Sequence, residues 1–161
     1  MARSKVADMK ESTVGTCTLQ RGHWTELTPE TAYRIAQLRY IVFTMEQGIT
    51  TELDLDGVDL APTTQTYWIQ HEGLPVSTLR TLRTPEGQAA IGRVATHPQH
   101  RHQGLAGRLM NAAMEDLAGQ TIELHAQAYL EGWYRAYGFE TTGPIYEEAG
   151  LPHVPMVRQP R

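Results

Sequence analysis

The stretch IGRVATHPQHRHQGLAGRLM, residues 91–110, is the most informative part of this sequence about its fold. It begins with a run of mostly apolar and small residues that ends at Pro98, where a loop of basic and polar residues starts. The loop leads directly into a segment with apolar residues at helical spacing, and this segment ends at Gly119. The pattern predicts a strand over residues 89–96, a loop from Pro98 and a helix over residues 104–118.

The loop between this strand and helix has residue types that suit an anion. Gly104 and Ala106 remove side-chain bulk where a ligand could approach the backbone closely. The first N–H groups of a helix have no partner within it, and the helix dipole places partial positive charge there. Arg101 and Arg108 add charge of the same sign. A pyrophosphate fits these properties, although a packed turn between strand and helix explains the small residues equally well.

The first half of the chain predicts one helix behind a polar N-terminal tail. Residues 1–20 show no sustained period, so we expect a flexible tail there, with a short strand near residues 17–19 left open. Thr28 and Pro29 form a helix start, a hydroxyl N-cap followed by proline at the first position. The helix should bury one apolar face, which consists of Ile35, Leu38, Val42 and Met45.

Further strands flank the central stretch. Two strands over 65–71 and 76–83 surround a hairpin-like turn. After the second helix the pattern predicts a strand over 121–126, a helix over 130–137, a strand region over 139–146 and an edge strand around 154–157. This order is typical of one mixed α/β domain, over residues 21–161.

Composition excludes several classes of protein. The 161 residues suit one domain, and a formal charge of 14 − 18 = −4 argues against a nucleic-acid partner. Cys17 is the one cysteine, so an intrachain disulfide and a Cys-based zinc site are excluded. No apolar run is long enough to cross a bilayer, and residues 1–20 lack the apolar core of a signal peptide. We therefore predict a cytoplasmic protein without a membrane partner.

Two motifs resemble those of a known superfamily. The R-x-x-G-x-A run of residues 101–106 resembles the acyl-CoA pyrophosphate loop of the GNAT N-acetyltransferases, and residues 133–139 (WYRAYGF) resemble their FYxxxGF segment. The resemblance extends over residues 24–157. Runs that resemble the ElaA-like branch in particular are residues 42–47, 52–54, 126–128 and 151–156. Three positions depart from that branch: Tyr67 and Tyr129 stand where many members have histidine, and Trp133 replaces phenylalanine.

The resemblance implies a fold, a cosubstrate and a reaction. The fold is a mostly antiparallel sheet of six or seven strands, split where the cofactor enters. The cosubstrate is acetyl-CoA, and the reaction is direct transfer of its acetyl group to a primary amine of a small molecule or peptide. The pantetheine arm would pair with the strand Val94, Ala95 and Thr96, where a backbone N–H at Val94 or Ala95 would polarise the thioester carbonyl. The residues implied in pyrophosphate binding are Arg101, His102, Gln103, Gly104, Leu105 and Ala106.

Acid–base roles follow from the same reaction. An alkyl ammonium must lose a proton before it attacks, so a base is required. The candidates are Glu46, Glu52, Asp54 and His153, of which Glu46 is favoured because it ends the first helix near the expected substrate mouth. Glu46 is equally explained as part of a polar helix end. Glu52, Asp54 and His153 are further candidates for substrate contacts, and Tyr134 occupies the position of the acid that protonates the leaving thiolate.

Other functions fit less well. The three histidines of the loop, His97, His100 and His102, do not share a regular helix face and lie beside arginines, so no metal site is predicted. Walker-type and G-x-G-x-x-G motifs are missing, which disfavours nucleotide triphosphatases and dinucleotide dehydrogenases. A covalent route through Cys17 lacks an assigned base. The alternative functions left open are a non-catalytic acyl-CoA-binding sensor and an interaction module. A homodimer is also left open as the oligomeric state.

Overall fold

The computed structural model describes residues 16–161, which form one mixed sheet with helices on both faces. The strands are β1 (Cys17–Gly22), β2 (Gln65–His71), β3 (Leu74–Arg83), β4 (Ala89–Thr96), β5 (Ile122–Gln127), β6 (Glu140–Thr141), β7 (Tyr146–Glu148) and β8 (Leu151–Arg158). The helices are α1 (Pro29–Arg39), which continues as a π-helical segment (Tyr40–Glu46), α2 (Leu105–Asp116) and α3 (Glu131–Arg135). Short 3-10 turns lie at Trp24–Glu26, Val58–Leu60, Pro98–His100 and Ala128–Leu130.

The sheet confirms the predicted fold class. Its strand order is β1-β2-β3-β4-β5-β8-β6, with β7 also paired to β8. Every pairing is antiparallel except that of β4 with β5. The sheet has eight strands, where six or seven were expected, because β6 and β7 are two short strands in the region 139–146 and just beyond it.

The N-terminal strand changes the expected domain boundary. β1 pairs with β2 along its whole length, from Cys17 opposite His71 to Gly22 opposite Thr66. Residues 17–20 therefore belong to the sheet, and the domain begins before residue 21. The sequence left a short strand near residues 17–19 open. The rest of the predicted tail, residues 1–15, lies outside the described residues.

The prediction of an edge strand around residues 154–157 is wrong, because β8 pairs with β5 on one side and with β6 and β7 on the other. Proline is tolerated there because β6 and β7 leave a gap beside Pro155. The carbonyl of Pro155 accepts a hydrogen bond from the Thr142 N–H at 2.9 Å on that side. Pro155 has no backbone N–H to donate, but neither β6 nor β7 pairs with β8 at this residue, so no hydrogen bond of the sheet is lost.

The helices cover the two faces of the sheet. α2 buries Leu105, Leu109 and Ala113 in the main core, whereas α1 and the π-helical segment bury Leu38 and Val42 in a second cluster. Met45, predicted on that face, is 67% exposed. The π-helical turn holds more residues than an α-helical turn, so the apolar period shifts after Arg39 and Met45 rotates toward solvent.

A buried ion-pair network fixes the irregular segment over residues 49–64. Its members are three arginines and three aspartates: Arg39, Arg80, Arg93, Asp54, Asp56 and Asp59. Asp59 bridges Arg39 at 2.8 Å and Arg80 at 3.1 Å, and all three side chains are almost fully buried. The charges balance, so this apparently acidic segment presents little net charge from its aspartates to the cleft beside it.

Candidate active site

A cleft opens where the sheet splits between β4 and β5. These two strands pair at Ala89 with Ile122 and at Ala90 with Glu123, and the pairing stops there. Beyond this point the strands separate around a cleft of about 1230 Å³. The split lies where the sequence resemblance placed the entry of the cofactor.

A β-bulge shapes the β4 wall of the cleft. Thr78 pairs with Ala95, whereas Arg80 pairs with Gly92, so β4 carries one residue more than β3 over this stretch. Arg93 has a φ of +53°, a left-handed backbone conformation that residues other than glycine rarely adopt. Such a bulge bends its strand and frees backbone groups from the ladder.

The Arg93 side chain anchors this bulge to the segment over 49–64. Its Nε lies 2.9 Å from Asp54 Oδ1, and its Nη2 lies 3.3 Å from Asp56 Oδ2. The strained backbone is therefore held by two carboxylates outside the strand. Val94, Ala95 and Thr96 follow the bulge and line the cleft.

The loop after β4 presents the start of α2 to the same cleft. His102 and Gly104 have φ values of +63° and +72°, which turn the backbone into the helix. Within the described chain no side chain caps α2, so its first N–H groups face the loop. The predicted loop residues that line the cleft are Arg101, His102, Gly104, Leu105 and Ala106. Gln103 lies outside the cleft lining.

Arg101 is held by the carboxylate of Glu46, which ends the π-helical segment and lies outside the cleft lining. Its Nη1 and Nη2 lie 2.9 and 2.5 Å from the two oxygens of Glu46, and its Nε donates to the Thr96 carbonyl at 3.1 Å. The hydrogen bond from Arg101 lowers the pKa of Glu46 and outweighs the effect of partial burial. The Glu46 carboxylate is therefore a weak proton acceptor, which counts against the base role favoured from the sequence.

Tyr134 forms the wall of the cleft on the α3 side. Its ring is 6% exposed and packs edge-on against Trp133, with the centroids 4.9 Å apart. The hydroxyl makes no hydrogen bond to any residue in the range 16–161. Burial raises the pKa of Tyr134, so the phenol stays protonated at neutral pH. The cleft wall thus contains the protonated hydroxyl of Tyr134.

The two predicted acidic substrate residues have different surroundings. Asp54 directs Oδ2 to Arg39 and Oδ1 to Arg93, both at 2.9 Å, so its charge is neutralised by structural partners. Glu52 lines the cleft and has no ion pair with a residue of the described chain. Only Glu52 of this pair keeps a carboxylate that is available to a ligand.

His153 joins a polar group on β5, β7 and β8 that sequence reasoning missed. His153 is 8% exposed and lines the cleft together with Glu148 and His125. Its Nε2 lies 3.8 Å from Glu148 Oε2, and the Tyr146 hydroxyl contacts both Glu148 and His125 Nδ1. The strand register brings these residues together, and no local sequence signal marks it.

The decisive combination is a parallel pair that splits, a bulged β4 and an uncapped helix start facing one cleft. Residues 47–159 match the sequence model of a family described as an acetyltransferase (GNAT) domain. The chain belongs to the GNAT acetyltransferase family. Membership implies an acyl-CoA donor and an amine acceptor, and the uncapped α2 N-terminus suits the donor's pyrophosphate.

Proteins of similar length resemble most of this chain. A UPF0039 protein of Mycobacterium tuberculosis is 34% identical over 137 residues, which are 83% of this chain and 87% of the relative. The crystal structure of an acyl-CoA N-acyltransferase from Pseudomonas aeruginosa is 34% identical with a TM-score of 0.80, covering 89% of this chain and 99% of that one. Escherichia coli ElaA has a TM-score of 0.80 at 28% identity, covering 89% of this chain and 100% of its own. The ElaA-like resemblance is confirmed.

The departures from the ElaA-like pattern lie at different distances from the GNAT cleft. Tyr67 is buried in the core and donates a hydrogen bond to Asp116 at 2.7 Å, away from the cleft lining. Tyr129 lines the cleft and is 75% exposed. Trp133 lines it as well and supports the ring of Tyr134. Two of the three substitutions are therefore placed to affect a ligand.

A pair of glutamines bridges the mouth of the GNAT cleft. The amides of Gln47 and Gln127 exchange hydrogen bonds of 3.2 and 2.8 Å, joining the end of the π-helical segment to the end of β5. The bridge connects elements on the two sides of the split. Sequence reasoning did not find it, because 80 residues separate the partners.

The loop histidines cluster beside the cleft. The His100 ring lies 5.1 Å from that of His71 and 5.9 Å from that of His97, measured between centroids. Partial burial lowers the pKa of His100, and the neighbouring imidazoles add to this effect. Among residues 16–161 no group of three histidine, cysteine or acidic side chains is arranged to hold a metal ion.

Within the same range, none of the helices is both long and apolar enough to span a bilayer.

Proposed function

We propose that this protein is an N-acetyltransferase that moves the acetyl group of acetyl-CoA to a primary amine of a small molecule or peptide. One observation carries the proposal: a single cleft brings together the uncapped start of α2, the bulged end of β4 and the protonated hydroxyl of Tyr134. In this proposal the start of α2 binds the pyrophosphate, the backbone at the end of β4 binds the pantetheine arm, and Tyr134 is the acid.

The reaction requires a balanced exchange of bonds and protons. The amine nitrogen forms a bond to the thioester carbonyl carbon, and the bond from that carbon to sulfur breaks. One proton leaves the nitrogen for a base, and one proton reaches the departing thiolate. The products are an amide and free CoA.

The donor side is assigned to β4 and the loop that follows it. In this proposal the pantetheine arm pairs with Val94, Ala95 and Thr96 in the manner of an added strand. A backbone N–H of Val94 or Ala95 then stabilises charge on the carbonyl oxygen. The pyrophosphate is bound by the loop residues Arg101, His102, Gln103, Gly104, Leu105 and Ala106.

The acid–base roles follow from the surroundings of each group. Tyr134 is assigned to the leaving sulfur, to which its protonated hydroxyl donates a hydrogen bond as the thiolate forms and takes up a proton. Glu46 orients Arg101 toward the loop, because both of its oxygens contact that guanidinium. Glu52 and His153 lie on the acceptor side and are assigned to the incoming amine, whereas Asp54 acts by holding Arg93.

Calorimetric titration with acetyl-CoA and with CoA tests the donor half, using wild-type protein and Arg101→Glu. We expect micromolar binding by the wild type and at least a tenfold loss in the variant, because repulsion replaces attraction at the pyrophosphate. Release of free thiol in the presence of amines, polyamines and peptide N-termini then tests the acceptor half. Binding without transfer to any of them would indicate a sensor module, and no binding would indicate an interaction protein.

A further inference from the structure

We infer that His153 is the general base of the reaction and that Glu148 stabilises the imidazolium it becomes. The inference rests on the proposed amine acetylation and assigns the proton acceptor that this reaction needs. It starts from the position of His153 at the beginning of β8, opposite Gln127 of β5. That position is on the wall of the cleft, and the residue is 8% exposed.

The hydrogen bonds of His153 determine which nitrogen is available. Nδ1 lies 2.8 Å from the carbonyl oxygen of Leu151. A carbonyl only accepts hydrogen bonds, so Nδ1 carries the proton and Nε2 of the neutral ring carries the lone pair. A fixed Nδ1–H is the arrangement that orients an imidazole for proton abstraction by the other nitrogen.

Glu148 lies where the developing charge needs a partner. Its Oε2 is 3.8 Å from His153 Nε2, too far for a hydrogen bond but close enough to stabilise a positive ring. A carboxylate only accepts hydrogen bonds, so Glu148 does not occupy the Nε2 lone pair, and no hydrogen bond from a residue in the range 16–161 reaches that nitrogen. An ammonium donor that enters the cleft would find both a proton acceptor and a negative charge.

Glu148 is itself held by a neighbouring side chain. The Tyr146 hydroxyl donates to Glu148 Oε2 at 3.4 Å and contacts Nδ1 of His125, which is exposed on β5. Burial and the Glu148 charge raise the pKa of Tyr146 to about 12, so its hydroxyl stays protonated. The titratable groups around His153 are thus Glu148 and Tyr146 on β7, His125 on β5 and Tyr129 on the adjoining turn.

The competing carboxylates are less suitable. Glu46 is paired with Arg101 through both oxygens, and Asp54 is paired with Arg39 and Arg93. Glu52 is exposed, and no described residue orients it. His153 is the candidate that combines an oriented ring, an available lone pair and a supporting charge.

Steady-state kinetics of His153→Asn test the assignment, with His71→Gln as the control for loss of a histidine outside the cleft lining. Asparagine keeps a side-chain N–H for the Leu151 carbonyl but has no base. We expect kcat to fall by about 10²–10⁴-fold, with the acetyl-CoA Kd unchanged and the acidic limb of the pH–rate profile lost. His153→Ala with added imidazole should recover part of the rate. Glu148→Gln should give a smaller loss of kcat, because the positive ring loses its charged neighbour.

Nitrogen NMR of the His153 ring gives a readout that needs no amine. We expect the Nδ1–H tautomer at neutral pH, and an Nε2–H tautomer would overturn the assignment. If the wild type transfers acetyl groups and His153→Asn keeps both kcat and the acidic limb, His153 is not the base while the proposed function stands. If the wild type transfers to no amine although it binds acetyl-CoA, the proposed function fails and the base assignment fails with it.

Discussion

Arg101 and Glu46 form a two-point ion pair across the edge of the cleft, with nitrogen–oxygen distances of 2.9 and 2.5 Å. The pair links the end of the π-helical segment to the loop that starts α2. It orients a cation beside the uncapped helix start and, by the same contacts, withdraws Glu46 from proton transfer. The same contact therefore fixes the Arg101 guanidinium and makes Glu46 a weak proton acceptor.

Glu46→Gln tests this division of roles. We expect KM for acetyl-CoA to rise several-fold because the Arg101 guanidinium loses its charged partner. The acidic limb of the pH–rate profile should remain, since another group accepts the proton. Initial rates from pH 5 to 9 measure both effects. Loss of the acidic limb in this variant would return the base role to Glu46.

Gly104→Ala tests the start of α2 as the anion site, with Gly119→Ala as its matched control. Both glycines have positive φ values, +72° and +78°, and an added Cβ meets nothing within 4 Å at either position. Each substitution should cost about 1–2 kcal/mol of stability through backbone strain. Only Gly104→Ala should weaken CoA binding in calorimetry, and an equal effect at Gly119 would mean that strain alone is responsible.

Tyr134→Phe tests the proposed acid. The phenyl ring keeps the packing against Trp133 and Phe139, so the Kd for CoA should stay nearly constant. We expect kcat to fall by roughly 10²-fold, the lower end for a general acid, because a thiolate leaves readily without full protonation. Full turnover by Tyr134→Phe would remove Tyr134 from the mechanism.

Asp59→Asn tests the buried ion-pair network. Asp59 is 4% exposed between Arg39 and Arg80, and removing its charge leaves two arginines undercompensated. We expect the free energy of unfolding to fall by about 3–5 kcal/mol. The exposed pair of Arg135 with Glu131 provides the comparison, where Arg135→Gln should cost no more than about 0.5 kcal/mol. Urea denaturation at pH 7 measures both.

Asp56 gives this stability a pH dependence. Burial raises the pKa of Asp56, but its hydrogen bond with Arg80 and the nearby charges outweigh burial and lower it from 3.8 to about 2. A lowered pKa stabilises the folded state above pH 4, and this contribution is lost as the pH falls toward 2. Asp56→Asn should flatten the fall in stability between pH 4 and 2, whereas Glu140→Gln, at an exposed position, should leave it unchanged.

Local patterns predicted most of the elements. Residues 65–71 and 89–96 are strands with the predicted bounds, and α2 begins one residue after the predicted start. Alternating or helical apolar spacing reports burial on one face, which is a local property. The errors came at Met45 and β8, where a π-helical turn and a gap between two short strands override the local rule.

The loop that leads into α2 was also predictable, because glycine, arginine and a helix start are contiguous in the chain. The polar group around His153 was not. Glu148, Tyr146 and His125 join His153 through strand register, and no pattern within one segment reveals which strands will be neighbours. The partner of Glu46 lies 55 residues away, so its ion pair was equally hidden.

The sequence by itself determined the α/β class, the helix start that suits an anion and the likeness to the GNAT family. These depend on residues that are close in the chain and act through local backbone geometry. Only the tertiary structure decided which carboxylates are neutralised, which histidine nitrogen keeps its lone pair and where β4 bulges. Those properties depend on distances of a few ångströms between residues tens of positions apart, because Coulomb interaction and hydrogen bonding act through space.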